Sequence, residues 1–324
     1  MRALVTGAAG FIASHLVERL VSDGCTVRAF VRYNSRTDVG HLRWLADELF
    51  DNVEIFYGDL RDQATVARAM ADVHVVYHLG ALISIPYSYL NPVEVVETNI
   101  IGTLNVLMAA REHKDIRIVH TSTSEVYGTA QYAPIDEAHP LRGQSPYSAS
   151  KIGADKLVES FIRSYGVAAV TVRPFNAYGP RQSGRAVIPS IIVQALRSDR
   201  IRLGNLSPTR DFTYVGDLVD GFARAGNAEG LVGDVINLGN GREISIQDLV
   251  QIIVELVGRE LPVEAEESRV RPDDSEVFRL IADNTRAGET LGWQPAVSFR
   301  EGLRRTIDWI GDHPEQYPDR EQFV

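Results

Sequence analysis

Along the amino-terminal half of the chain, short apolar runs alternate with longer segments whose apolar residues recur at helical spacing. RALVTG, TVRAFVR, VEIFYGD, VHVVYHLGA, IRIVHTS and VAAVTVRPFN read as six strands. Between the first two, FIASHLVERLVSDG carries Phe11, Ile12, Leu16, Val17 and Leu20 at that spacing and closes at Gly24. The pattern predicts further helices around Thr65 to Met70, over residues 92–113 behind Pro92, and over residues 145–166. Strands separated by helices pair in parallel through right-handed crossovers. The fold class is therefore α/β, a Rossmann-type doubly wound parallel sheet.

Beyond Pro180 the rhythm changes. RAVIPSIIVQALRSD predicts a helix near Pro189, residues 199–226 mix short strands with a helix, and residues 234–258 hold one strand and one helix. Pro262 to Asp283 is polar and proline-bearing, and a helix ends the pattern within residues 291–313. This reads as a smaller C-terminal α+β lobe that binds the substrate. The expected division is 1–178, with segments near 211–240 returning to the large sheet, and 179–324.

The first strand, turn and helix give the sequence its first chemistry. In TGAAGFIA, Gly7 permits a tight turn, Gly10 lets backbone approach a pyrophosphate, and Ala13 keeps the helix close to the sheet. The spacing is Gly-x-x-Gly-x-x-Ala, so the context carries the reading: residues 1–178 are expected to bind NAD(P). Phe11, Ile12, Leu60 and Leu79 are the apolar candidates around the dinucleotide. Asp59 is placed to meet the adenine edge, and Gly80 and Ala81 let the cofactor lie against backbone. No carboxylate ends the second strand; Arg32, Asn34, Ser35 and Arg36 suit a 2′-phosphate or form a solvent-facing basic loop. The expectation leans to NADP over NAD.

Composition narrows the classes. The chain has 324 residues, 44% of them hydrophobic and 23% charged, an ordinary globular mixture. A net charge of -10 without a basic run speaks against a nucleic-acid partner. The single cysteine, Cys25, excludes an internal disulfide, and no histidine spacing carries a metal signature, so no metal is expected. A strand beginning at the first residues leaves no signal peptide, and no apolar stretch was expected to reach the ~20 residues of a membrane span. Cytoplasmic residence is the expectation.

TSTSEVYGTA, residues 121–130, gathers hydroxyls around one carboxylate at the end of the fifth strand. Tyr147 and Lys151 lie four residues apart in a helical segment and share a face. A phenol of pKa ~10 becomes a base at neutrality only when a neighbouring cation favours phenolate.

With these motifs the chain resembles an extended short-chain dehydrogenase/reductase of the nucleotide-sugar epimerase/dehydratase type. TGAAGFIASHL, HLGALISIP, ETNIIGTLNVL, TSTSEVYG, PYSASKIGADKL, VRPFNAYGP, TRDFTYVGDL and LGWQP fall in that family's order over nearly the whole length. The resemblance implies that Thr123 and Tyr147 contact the sugar C4 hydroxyl, with Tyr147 the base and Lys151 holding its phenolate and the nicotinamide ribose. Asn99 would support the active site and the cofactor. Ser84, Asn176, Val187, Ile188, Arg210 and Arg271 would contact the nucleotide-diphosphate sugar. It also implies a homodimer through a four-helix bundle, with Val95, Val96, Ile100, Leu104 and Leu107 on one helix and Ile152, Leu157, Phe161 and Ile162 on the other.

Glu125 discriminates among reactions. A 4-keto sugar has an acidic C5 proton, which a carboxylate can remove before water leaves from C6. That chemistry is a 4,6-dehydratase. Ser124 stands where dTDP-glucose dehydratases carry an aspartate; the Ser-Glu form resembles GDP-mannose dehydratases and, more closely, dehydratases of nucleotide-linked N-acetylglucosamine in legionaminic-acid-type pathways. The expected substrate is UDP- or GDP-N-acetylglucosamine. UDP-glucuronate decarboxylase, 4-epimerase and a non-enzymatic dinucleotide sensor are the alternatives.

Overall fold

The structure is a computed structural model that describes residues 1–113, 115–266 and 277–318. Its strands are β1 (Arg2–Thr6), β2 (Thr26–Arg32), β3 (Val53–Gly58), β4 (Val75–His78), β5 (Arg117–Thr121), β6 (Ala168–Pro174), β7 (Asn176–Tyr178), β8 (Ile201–Leu203), β9 (Thr209–Tyr214), β10 (Val235–Leu238), β11 (Glu243–Ser245) and β12 (Val263–Ala265). Seven form one sheet in the order β10-β6-β5-β4-β1-β2-β3. Every pairing in it is parallel. The strand order reverses between β1 and β4, and a cleft at the carboxyl ends of these strands is the ligand position of such sheets.

Both faces of the sheet are covered, which is why its strands are continuously apolar. On one face, Leu16, Val17 and Leu20 of the Phe11–Ser22 helix pack with Leu218 and Phe222 of the Val215–Asn227 helix and with Trp293. On the other, Val66, Val106, Leu107, Val158 and Phe161 form a second core. A third core, built on Ile188, Ile191, Ile192, Ile253, Leu303 and Ile310, holds the carboxyl-terminal segments.

The segments expected to return near 211–240 divide. β10 enters the large sheet, whereas β9 pairs with β11 and β7 in a separate three-stranded sheet. The connection after β2 contains the short helices Gly40–Trp44 and Asp47–Phe50.

Two expectations on surfaces change. The Pro92–Glu112 helix is, by length and composition alone, long and apolar enough to cross a bilayer, although no such stretch was expected. Half of that window is buried inside the protein, and Asn99, Thr103 and Asn105 are among its buried residues. Of the residues assigned to a subunit contact, Val95, Leu107 and Phe161 are buried in the chain's own core; Val96 is exposed, together with Leu90, Val93 and Ile101.

Candidate active site

The glycine turn after β1 is closed by the Gly10 amide donating to the Gly7 carbonyl at 2.8 Å. Gly7 has φ +67°, and a Cβ there would lie 2.7 Å from the Gly80 Cα, so the turns after β1 and β4 touch backbone to backbone. The Thr6 hydroxyl accepts from the Gly80 amide at 3.0 Å and binds His78 Nδ1 at 2.8 Å, tying the two turns a second time. The helix beginning at Phe11 has no side-chain cap, which leaves first-turn N–H groups to an anion. Leu60 lies against both Gly80 and Gly102, forming a floor beside the turn, with Ile12, Phe11, Leu79 and Ala81 partly buried around it. The residues present fit a dinucleotide.

At the adenosine end, Asn34 organises the loop by accepting from the Arg36 and Asp38 amides at 3.1 and 3.0 Å. Arg32 and Arg36 are exposed, as is Ser35; Arg32 leans to Glu94 at 3.4 Å. The Asp59 carboxylate is gripped by Arg61 at 2.7 Å, and that side-chain hydrogen bond holds it below the usual carboxylate range.

A cleft-side turn follows β5. Thr123 caps the one-turn helix Ser124–Tyr127, its hydroxyl accepting from the Glu125 amide at 3.2 Å. Gly128, at φ +64°, ends that turn against the Gln144 side chain. The helix Pro146–Tyr165 starts with a reciprocal cap between Ser145 and Ser148, which sets its first turn and hence Tyr147. Thr123 hydrogen-bonds the Tyr147 phenol. Burial drives the proton affinity of that phenol up, and the Thr123 hydroxyl works against the rise. Burial also lowers Lys151 to about 8, with the Asp155 charge opposing the fall. Glu125 is half-buried beside this pair and Ser124 is buried behind it. Asn99 sits in a π-helical turn, Glu97–Ile101; its amide binds the Leu82 N–H at 2.8 Å, the Leu82 carbonyl at 2.9 Å and the Ser150 hydroxyl at 2.9 Å. It thus holds the loop after β4 to the catalytic helix.

Across the cleft, Asn176 on β7 has a buried side-chain oxygen with no partner among the described residues. The Val187–Arg197 helix starts at Val187 and Ile188 without a side-chain cap, a second set of N–H groups suited to a diphosphate. Arg210 is buried, its guanidinium donating to the Thr209 carbonyl at 3.0 Å. Ser84 caps the Ile85–Leu90 helix by accepting from the Tyr87 amide at 3.3 Å. Arg271 lies outside the described residues.

A family model described as GDP-mannose 4,6 dehydratase matches residues 4–306. The chain belongs to that family.

Within the dehydratase family, the chain is 38% identical over 318 residues to UDP-glucose 4-epimerase of Mycolicibacterium smegmatis, covering 96% of this chain and 98% of the relative. It is 35% identical over 313 residues to UDP-glucuronic acid decarboxylase 6 of Arabidopsis thaliana, covering 94% and 87%. Its fold matches the crystal structure of UDP-glucuronic acid 4-epimerase from Bacillus cereus, in complex with UDP-4-deoxy-4-fluoro-glucuronic acid and NAD, with TM-score 0.88, 28% identity and coverage of 96% and 99%. The dehydratase-family chain is thus an enzyme of the nucleotide-sugar dehydratase, decarboxylase and epimerase group.

Sequence reasoning missed a buried polar group beneath this dehydratase-family site. Asp155 binds His120 Nε2 at 3.1 Å, the Ser122 hydroxyl at 2.8 Å and Arg173 at 3.0 Å. One signal for it was present: Asp155 follows Lys151 by the same four residues that separate Lys151 from Tyr147.

Proposed function

We propose that the protein is a nucleotide-sugar 4,6-dehydratase acting on a nucleotide-linked N-acetylglucosamine with a UDP or GDP head, and that it uses NAD(P). The observation that carries the reading is Glu125, a half-buried carboxylate in the turn capped by Thr123 and near enough to Tyr147 for its charge to act on that phenol. Resemblance of TSTSEVYGTAQY and FNAYGPRQSGRAVIP to the legionaminic-acid-type dehydratases supports the sugar assignment.

When bound, the dinucleotide supplies reversible hydride chemistry at the sugar. Gly7, Gly10, Phe11 and Ile12 would hold its diphosphate region, Gly80 and Ala81 its middle, and Asp59 with the Arg32 to Arg36 loop its adenosine end. Exposed Arg32 and Arg36 are the groups that would admit a 2′-phosphate, with Glu94 competing for Arg32. Tyr147 acts as phenolate, stabilised by the Lys151 ammonium and by the Thr123 hydroxyl donating to its Oη, and takes the C4 hydroxyl proton there to become the neutral phenol. Glu125 then removes the C5 proton of the 4-keto sugar and, once protonated, donates to the departing C6 hydroxyl, with Ser124 supporting the turn. Asn176, the start of the Val187 helix, Arg210 and Ser84 hold the nucleotide-sugar.

The test is a panel of UDP-, GDP- and dTDP-hexoses read by product mass. Loss of one water without net cofactor reduction is expected; loss of carbon dioxide from a hexuronate points to decarboxylation, and unchanged mass with altered stereochemistry points to epimerisation. Glu125→Gln should abolish exchange of the C5 hydrogen with deuterated solvent and stop loss of water. Unimpaired turnover in that variant removes Glu125 from the chemistry.

We also propose a homodimer in which the helix over residues 92–112 and the Pro146–Tyr165 helix of two copies pack as a bundle. Exposed Leu90, Val93, Val96 and Ile101 form an apolar strip at the near end of the first helix.

A further inference from the structure

We propose that Asp155 is a positioning residue for the reaction: as the buried counter-ion one helical turn beyond Lys151, it fixes the charge of that ammonium and, through it, the readiness of Tyr147 to act as base. The inference rests on Tyr147 and Lys151 serving the C4 hydroxyl, and does not depend on Glu125.

Three features of the structure support it. Tyr147, Lys151 and Asp155 form one stripe on the Pro146–Tyr165 helix at four-residue intervals, and all three are buried. Lys151 is buried and makes no direct ion pair or hydrogen bond among the described residues, so an ammonium there has no touching anion. That state needs a charge nearby.

The groups facing Lys151 come from several elements. From β4 comes His78, which burial keeps well below the ordinary imidazole range. Its Nε2 is 3.0 Å from the Thr103 hydroxyl, whose own proton goes to the Asn99 carbonyl at 2.7 Å, so Nε2 carries the hydrogen and the ring is neutral. From β5 comes His120, also lowered by burial; Nε2 faces Asp155 and Nδ1 has no partner, again a neutral ring. From β6 comes the Arg173 guanidinium, bonded to Asp155 and to the Tyr127 hydroxyl at 2.9 Å. Tyr147 lies on the same helix, and Glu125 acts on it from the turn after β5. Among these, Asp155 is the only carboxylate buried below Lys151.

The charges also balance. Burial alone would raise Asp155, but the hydrogen bond with His120 and the charges of Arg173 and Lys151 hold it below the usual range, so it is an anion. Arg173 and Lys151 then leave one excess positive charge in the buried group. Phenolate formation at Tyr147 cancels it.

The experiment is a pH profile of kcat/KM for turnover of whichever nucleotide sugar the wild type converts. A unit charge at ~6 Å under an effective dielectric of ~20 moves a neighbour's titration by about two pH units. Arg173 screens part of that, so Asp155→Asn is expected to move the alkaline limb down by about one unit, and Asp155→Glu is expected to return it. A packing role alone lowers the rate and leaves the limb in place, which overturns the proposal.

If Asp155→Asn does not fold, the stranded Arg173 is the cause to remove. Arg173→Gln is then compared with Arg173→Gln/Asp155→Asn, and without the screening by Arg173 the limb of the double variant should lie about two units lower; coincident limbs overturn the proposal. A product that keeps its water sinks the dehydratase reading and leaves this comparison valid. An unmoved limb sinks this inference and leaves the dehydratase reading standing.

Discussion

Replacing Gly7 by alanine tests whether the contact between the turns after β1 and β4 is what shapes the dinucleotide site. At φ +67° an alanine costs about 1–2 kcal/mol from backbone strain alone. The added Cβ also meets Gly80 Cα at 2.7 Å and Gly80 N at 3.0 Å, both backbone atoms with no rotamer to change. Restoring an ordinary contact of 3.4 Å means parting the turns by ~0.7 Å, in a packed interior that resists such shifts. Overpacking of this kind costs ~1–3 kcal/mol. Gly24 is the internal control: its φ is +82° and a Cβ there meets nothing within 4 Å, so Gly24→Ala carries the strain without the collision. In urea denaturation without ligand, Gly24→Ala should lose about 1–2 kcal/mol and Gly7→Ala about 2–5 kcal/mol. Titration with NADH and NADPH, read by protein fluorescence, should show binding near wild type for Gly24→Ala and at least ~10-fold weaker for Gly7→Ala, since the displaced turn holds the diphosphate N–H groups. Equal stability losses in the two variants would refute the steric argument, and unchanged binding in Gly7→Ala would remove the turn from the cofactor site.

Asn99→Ala should lower unfolding free energy by roughly 2–4 kcal/mol, because it strands the Leu82 backbone groups and loosens Ser150; an unchanged urea midpoint contradicts the clamp between the β4 loop and the catalytic helix. For the subunit contact, Val93→Asp with Val96→Asp should give a monomer in sedimentation velocity where the wild type gives a dimer. A dimer that survives both charges places the interface elsewhere.

What could be read from the chain alone follows from how each residue acquires its role. Gly7 and Gly10 act through a turn a few residues long, and Tyr147 with Lys151 through one turn of helix, so their spacing together with the strand, helix and hydroxyl cluster beside them exposes them. The parallel sheet is legible for a similar reason, since its strands alternate along the chain with helical segments that the apolar spacing marks. Asp155 has the same spacing, yet its meaning depends on His120 in β5, on Ser122 just after it and on Arg173 in β6, and only the pairing of those strands brings them to Asp155. The assignment of β9 and β10 to different sheets was hidden likewise: both are short runs, and which edge each joins is decided by β6, β7 and β11 rather than by either run itself. Glu125 belongs with the local cases. Thr123 holds the Glu125 amide two residues on, so the place of Glu125 in the turn is set locally. The proposed sugar nucleotide is the non-local part, because Asn176, Val187, Ile188 and Arg210, the residues proposed to hold it, come from three separate elements of the chain.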